Sequence, residues 1–276
     1  MPLVLAGIAS LVFGVADFVG GFVTRRAPAI TVVWGSQLLS LGMVLALAPL
    51  FSDGVAAGSA LWWGAGAGAA GALGLVVFYH ALATTRVAVV ASVAAVVGTA
   101  APVIFGVVVG ERPSALAWLG MALAIPALTL LPSGEHDSGR SGRGVWMGFV
   151  AGLAFALFGI LISRTGSDSG MWPLAWARLA SVVLLGIAAP AMGRPLVAAR
   201  PAWRFIALAG LLDMAGNVLF LVAVRRELLS LVAVIMSLYP ASTITLARIV
   251  YGERVVRRQV GGLGLAALAV VLIALG

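Results

Sequence analysis

Three charged side chains and one amide stand inside stretches that are otherwise apolar. They are Asp17 in Ala16-Asp17-Phe18, Arg178 in Trp176-Ala177-Arg178, and Asp213 with Asn217. A charge at the centre of a bilayer costs about 2.5–3.5 kcal/mol on insertion scales, so each such group is a candidate site residue. A carboxylate at Asp17 needs a cation, a proton or water beside it. Its expected roles are proton coupling or solute binding, with an ion pair to an arginine as the plainer alternative. Arg178 keeps its charge in any surroundings. It either contacts an anionic solute group or neutralises Asp17 or Asp213. Asp213 and Asn217 are four residues apart, which puts both on one face of a helix. That face is expected to line a cavity, the alternative being an Asp213 solvated near the membrane surface.

Gln37 (beside Ser36), Tyr79, His80 and Tyr239 complete the polar set. Histidine as a residue type can change charge near neutral pH, which makes His80 a candidate proton carrier, but a lone histidine is more often a hydrogen-bonded packing residue. No second histidine or carboxylate stands near it at metal-ligand spacing. The chain has no cysteine, hence no disulfide or thiolate chemistry. A nucleophile with its base, paired carboxylates or a metal cluster would mark an enzyme. None occurs in order, so neither catalysis nor a cofactor is expected.

The elements that carry these groups must lie in lipid. The chain is 62% hydrophobic and 9% charged, with mean hydropathy +1.15, whereas a soluble domain is about a quarter charged. A span needs about 20 apolar residues. Ten stretches qualify: 3–23, 30–49, 61–83, 87–109, 115–131, 145–163, 172–192, 203–224, 229–250 and 260–275. The first has no basic residue before it and is too long for a cleavable signal, so it is expected to remain as a span. Residues 133–143 are rich in Gly, Ser and charge and read as a linker. The glycines of the third stretch, Gly64 to Gly74, suit close helix packing. With no strand before them and no lysine after, they are not a nucleotide loop.

Gly110-Glu111-Arg112 recurs as Gly252-Glu253-Arg254, so Glu111 and Glu253 lie 142 residues apart. At the same offset Trp34 meets Trp176, Gly68 meets Gly210, Gly74 meets Gly216, Phe78 meets Phe220, Ala81 meets Ala223 and Gly120 meets Gly262. The pattern predicts a duplicated unit, 1–132 and 144–276, joined by the 133–143 linker. Five spans per unit make the second copy inverted relative to the first, an architecture common in secondary transporters. The fold expected is an all-α polytopic membrane protein of ten transmembrane helices in two inverted five-helix repeats. Glu111 and Glu253 read as capping or gating groups near the surfaces, paired with arginine. Pro240 frees a carbonyl in mid-span, and broken helices of that kind often line transport sites.

All 17 basic residues are arginine, and the net charge is +8. No basic run is long enough for a nucleic-acid partner. The arginines instead mark loops that face the cytoplasm. The side of the termini holds four, Arg112, Arg164, Arg225 and Arg226. The other side holds eleven, from Arg25 and Arg26 to Arg257 and Arg258. That count places the termini outside.

The ten spans, the duplication and the two Gly-Glu-Arg ends resemble the drug/metabolite transporter superfamily, specifically its EamA-type members. Tyr79-His80-Ala81-Leu82 resembles the family's Tyr-x-Ala-Leu stretch, and Leu238-Tyr239-Pro240 its proline in span nine. Arg178 resembles an arginine common early in the equivalent span. Asp17-Phe18-Val19-Gly20-Gly21 before Arg25-Arg26, with Ser36-Gln37 later, is similar to a subgroup of these transporters. The chain departs from the pattern at Gly98, where the first repeat would carry the proline, and at Ser36, where it would carry the arginine. The resemblance implies transport of small polar or amphipathic solutes, often metabolite or amino-acid export, and termini in the cytoplasm. The expected partners are a small-molecule substrate, the lipid bilayer of the cell membrane, and protons if Asp17 or Asp213 carries one. A lipid-linked substrate flippase on the same fold and a non-transporting membrane scaffold are the alternatives.

Overall fold

A computed structural model describes residues 2–50, 55–130, 138–251 and 257–275. The described residues form helices and no strand. In lipid the backbone must satisfy its own N–H and C=O groups, which a helix does within one segment. The helices are α1 (Pro2–Thr24), α2 (Ala29–Leu47), α3 (Ser59–Thr84), α4 (Val87–Val108), α5 (Ala115–Leu130) and α6 (Ser138–Ser163). They continue as α7 (Trp172–Ala191), α8 (Arg200–Val224), α9 (Leu229–Met236), α10 (Pro240–Tyr251) and α11 (Arg257–Leu275).

Eight segments among the described residues are long and apolar enough to cross a membrane. They are α1, Ala29–Leu50, α3, α4, Gly142–Ser163, α7, α8 and Leu229–Val250. A further apolar helix, Ala115–Ala127 in α5, is shorter. Eight of the ten expected stretches are met in this way. The 16 residues of α5 extend about 24 Å at 1.5 Å each, less than a hydrocarbon core of about 30 Å. The tenth expected stretch falls in α11. Large apolar side chains point outward, Trp62 and Ile249 at 75% and 74% exposure among them, as suits lipid contact.

The expected span at 229–250 is two helices. Pro240 has no N–H, and a helix through it would leave the Met236 carbonyl without its usual donor. Ser10 Oγ of α1 donates to that carbonyl at 3.1 Å. Thr243 Oγ1 of α10 in turn donates to Gly14 O of α1 at 2.9 Å. A Cβ on Gly14 would sit 2.4 Å from Tyr239 O, so only glycine lets α1 lie against the break.

Lipid supplies no hydrophobic drive between helices, so close approach and interhelical hydrogen bonds do the packing. α3 meets α7 at Gly68, where a Cβ would lie 2.0 Å from Ala177 O. Ser181 Oγ donates to Gly68 O there at 2.8 Å. α8 meets α2 in the same manner at Gly210, where a Cβ would lie 2.6 Å from Ser36 O. Ser40 Oγ donates to Gly210 O at 2.8 Å.

The loops are tied at both ends of the bundle. At one end Thr31 Oγ1 donates to Pro195 O. At the other, Trp176 Nε1 donates to Ala56 O at 2.8 Å. There Arg225 also donates to Gly170 O at 2.7 Å and Gly166 O at 3.1 Å. Burial lowers the pKa of Arg225 from its ordinary value, and the nearby Asp168 carboxylate raises it in part.

Candidate functional site

The broken helix and its neighbours line a partly open cavity of about 150 Å3. Phe13 and Asp17 come from α1, Gly71 and Leu75 from α3, and Ala94, Ala95, Gly98, Thr99 and Pro102 from α4. Phe155, Phe158 and Gly159 come from α6, Arg178 from α7, and Asp213, Asn217 and Phe220 from α8. Leu229, Ala233 and Met236 of α9, with Ser237 and Tyr239 at the break, close it.

Many of these positions are 142 residues apart: Phe13 and Phe155, Asp17 and Gly159, Gly71 and Asp213, Leu75 and Asn217, Ala94 and Met236, Ala95 and Ser237. The two phenylalanines are seated alike. A Cβ on Gly74 would lie 2.8 Å from the Phe155 ring, and one on Gly216 would lie 3.0 Å from the Phe13 ring. The polar groups are not shared. Asp17 stands opposite a glycine in the other half, and so does Asp213. The paired positions match in their phenylalanines and differ in their charged groups.

Arg178 Nη2 donates to Asp213 Oδ2 at 2.9 Å. The side chains are 3% and 8% exposed, so this is a buried ion pair. Asn217 Nδ2 donates to Asp213 O at 2.7 Å and to Asp213 Oδ1 at 3.2 Å, which is what the four-residue spacing allows. Both Asp213 oxygens therefore have a donor. Asp17 is 7% exposed and lines the same cavity. Tyr79 of α3 and Tyr239, together with Asp213, lie within electrostatic reach of it. Its carboxyl meets the cavity, while the other carboxylate there is already paired.

The remaining sequence candidates divide. Tyr239 lies on the cavity, its hydroxyl donating to Ala91 O at 3.3 Å and its ring edge-on to Phe78. Pro240 opens α10 directly behind it. Gln37 is fully buried in α2 but does not line the cavity. It packs beside Asp213 without a well-formed hydrogen bond. Tyr79 is buried behind the cavity, its ring against Gly20 of α1. His80 is half-buried and does not line the cavity.

Glu111 is a cap. Gly110 takes φ +101°, and Glu111 N–H donates back to Gly106 O at 2.9 Å. That turn sends the carboxylate to the start of α9, where it accepts from Leu229 N at 2.8 Å and Ser230 N at 3.0 Å. Its partners are backbone N–H groups, where the sequence reading expected an arginine. A helix start carries unsatisfied N–H groups and positive dipole, so a carboxylate fits there. Glu253 lies outside the described residues.

Sequence reasoning missed the cavity walls: Phe13, Phe155, Phe158 and Phe220, with Thr99. Phe155 and Phe158 are three apart on α6, and Gly74 and Gly71 facing them, with Gly216 facing Phe13, were the available signal.

The residues present offer no group of three or more acidic or histidine side chains for a metal, among those described. No curated protein sequence matches the chain. A solved crystal structure of a protein superposes with TM-score 0.75 at 15% identity, covering 99% of this chain and 96% of that one. The likeness is of fold. Residues 142–275 match the model of the EamA-like transporter family. With eight apolar helical segments long enough to cross a bilayer among the described residues, the chain is a multi-pass membrane protein whose residues 142–275 are similar to the EamA-like transporter family.

Proposed function

We propose that the protein is a secondary transporter of the cell membrane that moves a small metabolite, in the export direction, by alternating access around the Asp17 cavity. The observation that carries this reading is the cavity itself, lined by equivalent positions of two halves and holding one paired and one unpaired carboxylate. Two halves that close on a midplane site from opposite sides are the usual frame for alternating access.

The helix packing supports a two-fold exchange of halves. Replacing each span by the one five later turns the α1–α8 contact into α6–α3 and α2–α8 into α7–α3. It turns α4–α6 into α9–α1 and returns α2–α7, α4–α9 and α5–α11 to themselves. We read units 1–132 and 144–276 as inverted repeats on this ground. Asp17 is the proposed coupling group, alternately taking a proton and a solute. The arginine-rich end, with Arg25, Arg26, Arg86, Arg194, Arg200 and Arg204, is proposed to face the cytoplasm, as positive loops do.

The test is untargeted mass spectrometry of cells and medium for wild type, Asp17→Asn, Arg178→Ala and empty vector at matched expression. The reading expects a solute that leaves cells only with wild type. If wild type and vector match in every soluble metabolite, the reading is lost and a lipid-linked substrate becomes the one to test.

A further inference from the structure

The charges around the cavity select among solutes. Among the described residues its charged lining groups are Asp17, Arg178 and Asp213. Arg178 and Asp213 neutralise each other at 2.9 Å, and Asp213 is further held by Asn217. The Arg178 Nε is enclosed by protein and out of a solute's reach. What remains is the Asp17 carboxyl, 7% exposed and facing the cavity, which adds one negative charge whenever it has released its proton. A monocation brings the site to neutrality. A zwitterion leaves one net negative charge against a mainly apolar lining, and an anion leaves two. An isolated buried charge is strongly disfavoured, so this balance discriminates by head group.

The walls describe the rest of the solute. Phe13, Phe155, Phe158, Phe220 and Tyr239 surround the space. Aromatic faces attract a cation within about 6 Å of the ring centre. An apolar cavity of about 150 Å3 takes a benzene-sized body.

We propose that the cavity takes an organic ammonium, one positive amine head on a single-ring or comparably small apolar body, with Asp17 as its counter-ion. This rests on the transport reading of the same cavity and adds the class of its solute.

A series with one body and four heads tests it: 2-phenylethylammonium, 2-phenylethanol, phenylalanine and 3-phenylpropanoate. Binding is measured calorimetrically on the full chain in detergent micelles at neutral pH. In wild type the ammonium is expected to bind about ten- to a hundredfold more tightly than each of the other three, the range for one charge-assisted hydrogen bond. Asp17→Asn should remove that preference, and Asp17→Glu should retain it. Preference of wild type for phenylalanine or 3-phenylpropanoate, equal affinity for all four, or no binding of the ammonium overturns the proposal without reliance on any variant. Flux in proteoliposomes is measured separately. Ammonium binding without flux of any solute counts against transport and leaves the site assignment standing. Flux of an anion or zwitterion with no ammonium binding does the reverse.

Discussion

Breaking the Arg178–Asp213 pair is the sharpest structural perturbation available in this chain. Asp213→Asn keeps the shape and the Asn217 contacts but leaves a guanidinium facing a neutral amide at a site where the two side chains are 3% and 8% exposed. Removing one member of a buried pair typically costs about 3–5 kcal/mol, because the survivor is an uncompensated buried charge. The retained amide oxygen still accepts one hydrogen bond, which puts the expected loss near the lower end, about 3 kcal/mol. Arg178→Gln is expected to lose a similar amount, since Asp213 then joins Asp17 as a second unpaired carboxylate. The double variant removes both charges together. Its loss should be smaller than the sum of the singles, with a coupling energy of about 2 kcal/mol or more. The assay is reversible denaturant unfolding in mixed micelles, following tryptophan fluorescence, on wild type, both singles and the double. A coupling below about 0.5 kcal/mol, the range of exposed pairs, would refute the view that this pair is desolvated and mutually dependent.

Three further outcomes follow from the same geometry. Gly68→Ala should destabilise the fold by about 1–3 kcal/mol, because its Cβ would meet the Ala177 carbonyl at 2.0 Å and overpacking costs about that much. Gly42→Ala, with nothing within 4 Å, is the control and should be neutral or mildly stabilising in the same unfolding assay. Glu111→Ala should cost about 1–2 kcal/mol by loss of two charge-assisted contacts at the start of α9, read as earlier proteolytic nicking near residues 225–230. The chain has no cysteine, so introduced ones report cleanly on sidedness. Ser167→Cys should react with an impermeant maleimide on intact cells, and Val197→Cys only after permeabilisation; the reverse pattern would put the arginine-rich end outside.

The parts of the site that were legible in the sequence were those where chemistry conflicts with lipid. Asp17, Arg178, Asp213 and Asn217 stand out in an apolar chain, and each lines the cavity. Pro240 was legible because its missing N–H interrupts any helix, and α9 and α10 part just before it. The walls were not legible. Phe13 and Phe155 look like lipid-facing residues until Gly216 and Gly74 are seen to receive them. Gln37 shows the opposite failure, since polarity marked it but it packs beside Asp213 away from the cavity. The Gly110-Glu111-Arg112 motif was visible, whereas its target was not, because the start of α9 lies more than a hundred residues further on. Composition alone does not separate the short α5 from a full crossing.

The account stands most directly on the claim that one cavity opens to each side of the membrane in turn. Thr99 lines that cavity and is absent from the ion pair, so Thr99→Cys in the cysteine-free chain is a single reporter. Its labelling rate by an impermeant maleimide would be measured on intact cells and on inverted membrane vesicles. The account predicts labelling from both sides, slowed on both by 2-phenylethylammonium. Labelling from one side only, at a rate that no solute changes, would contradict it.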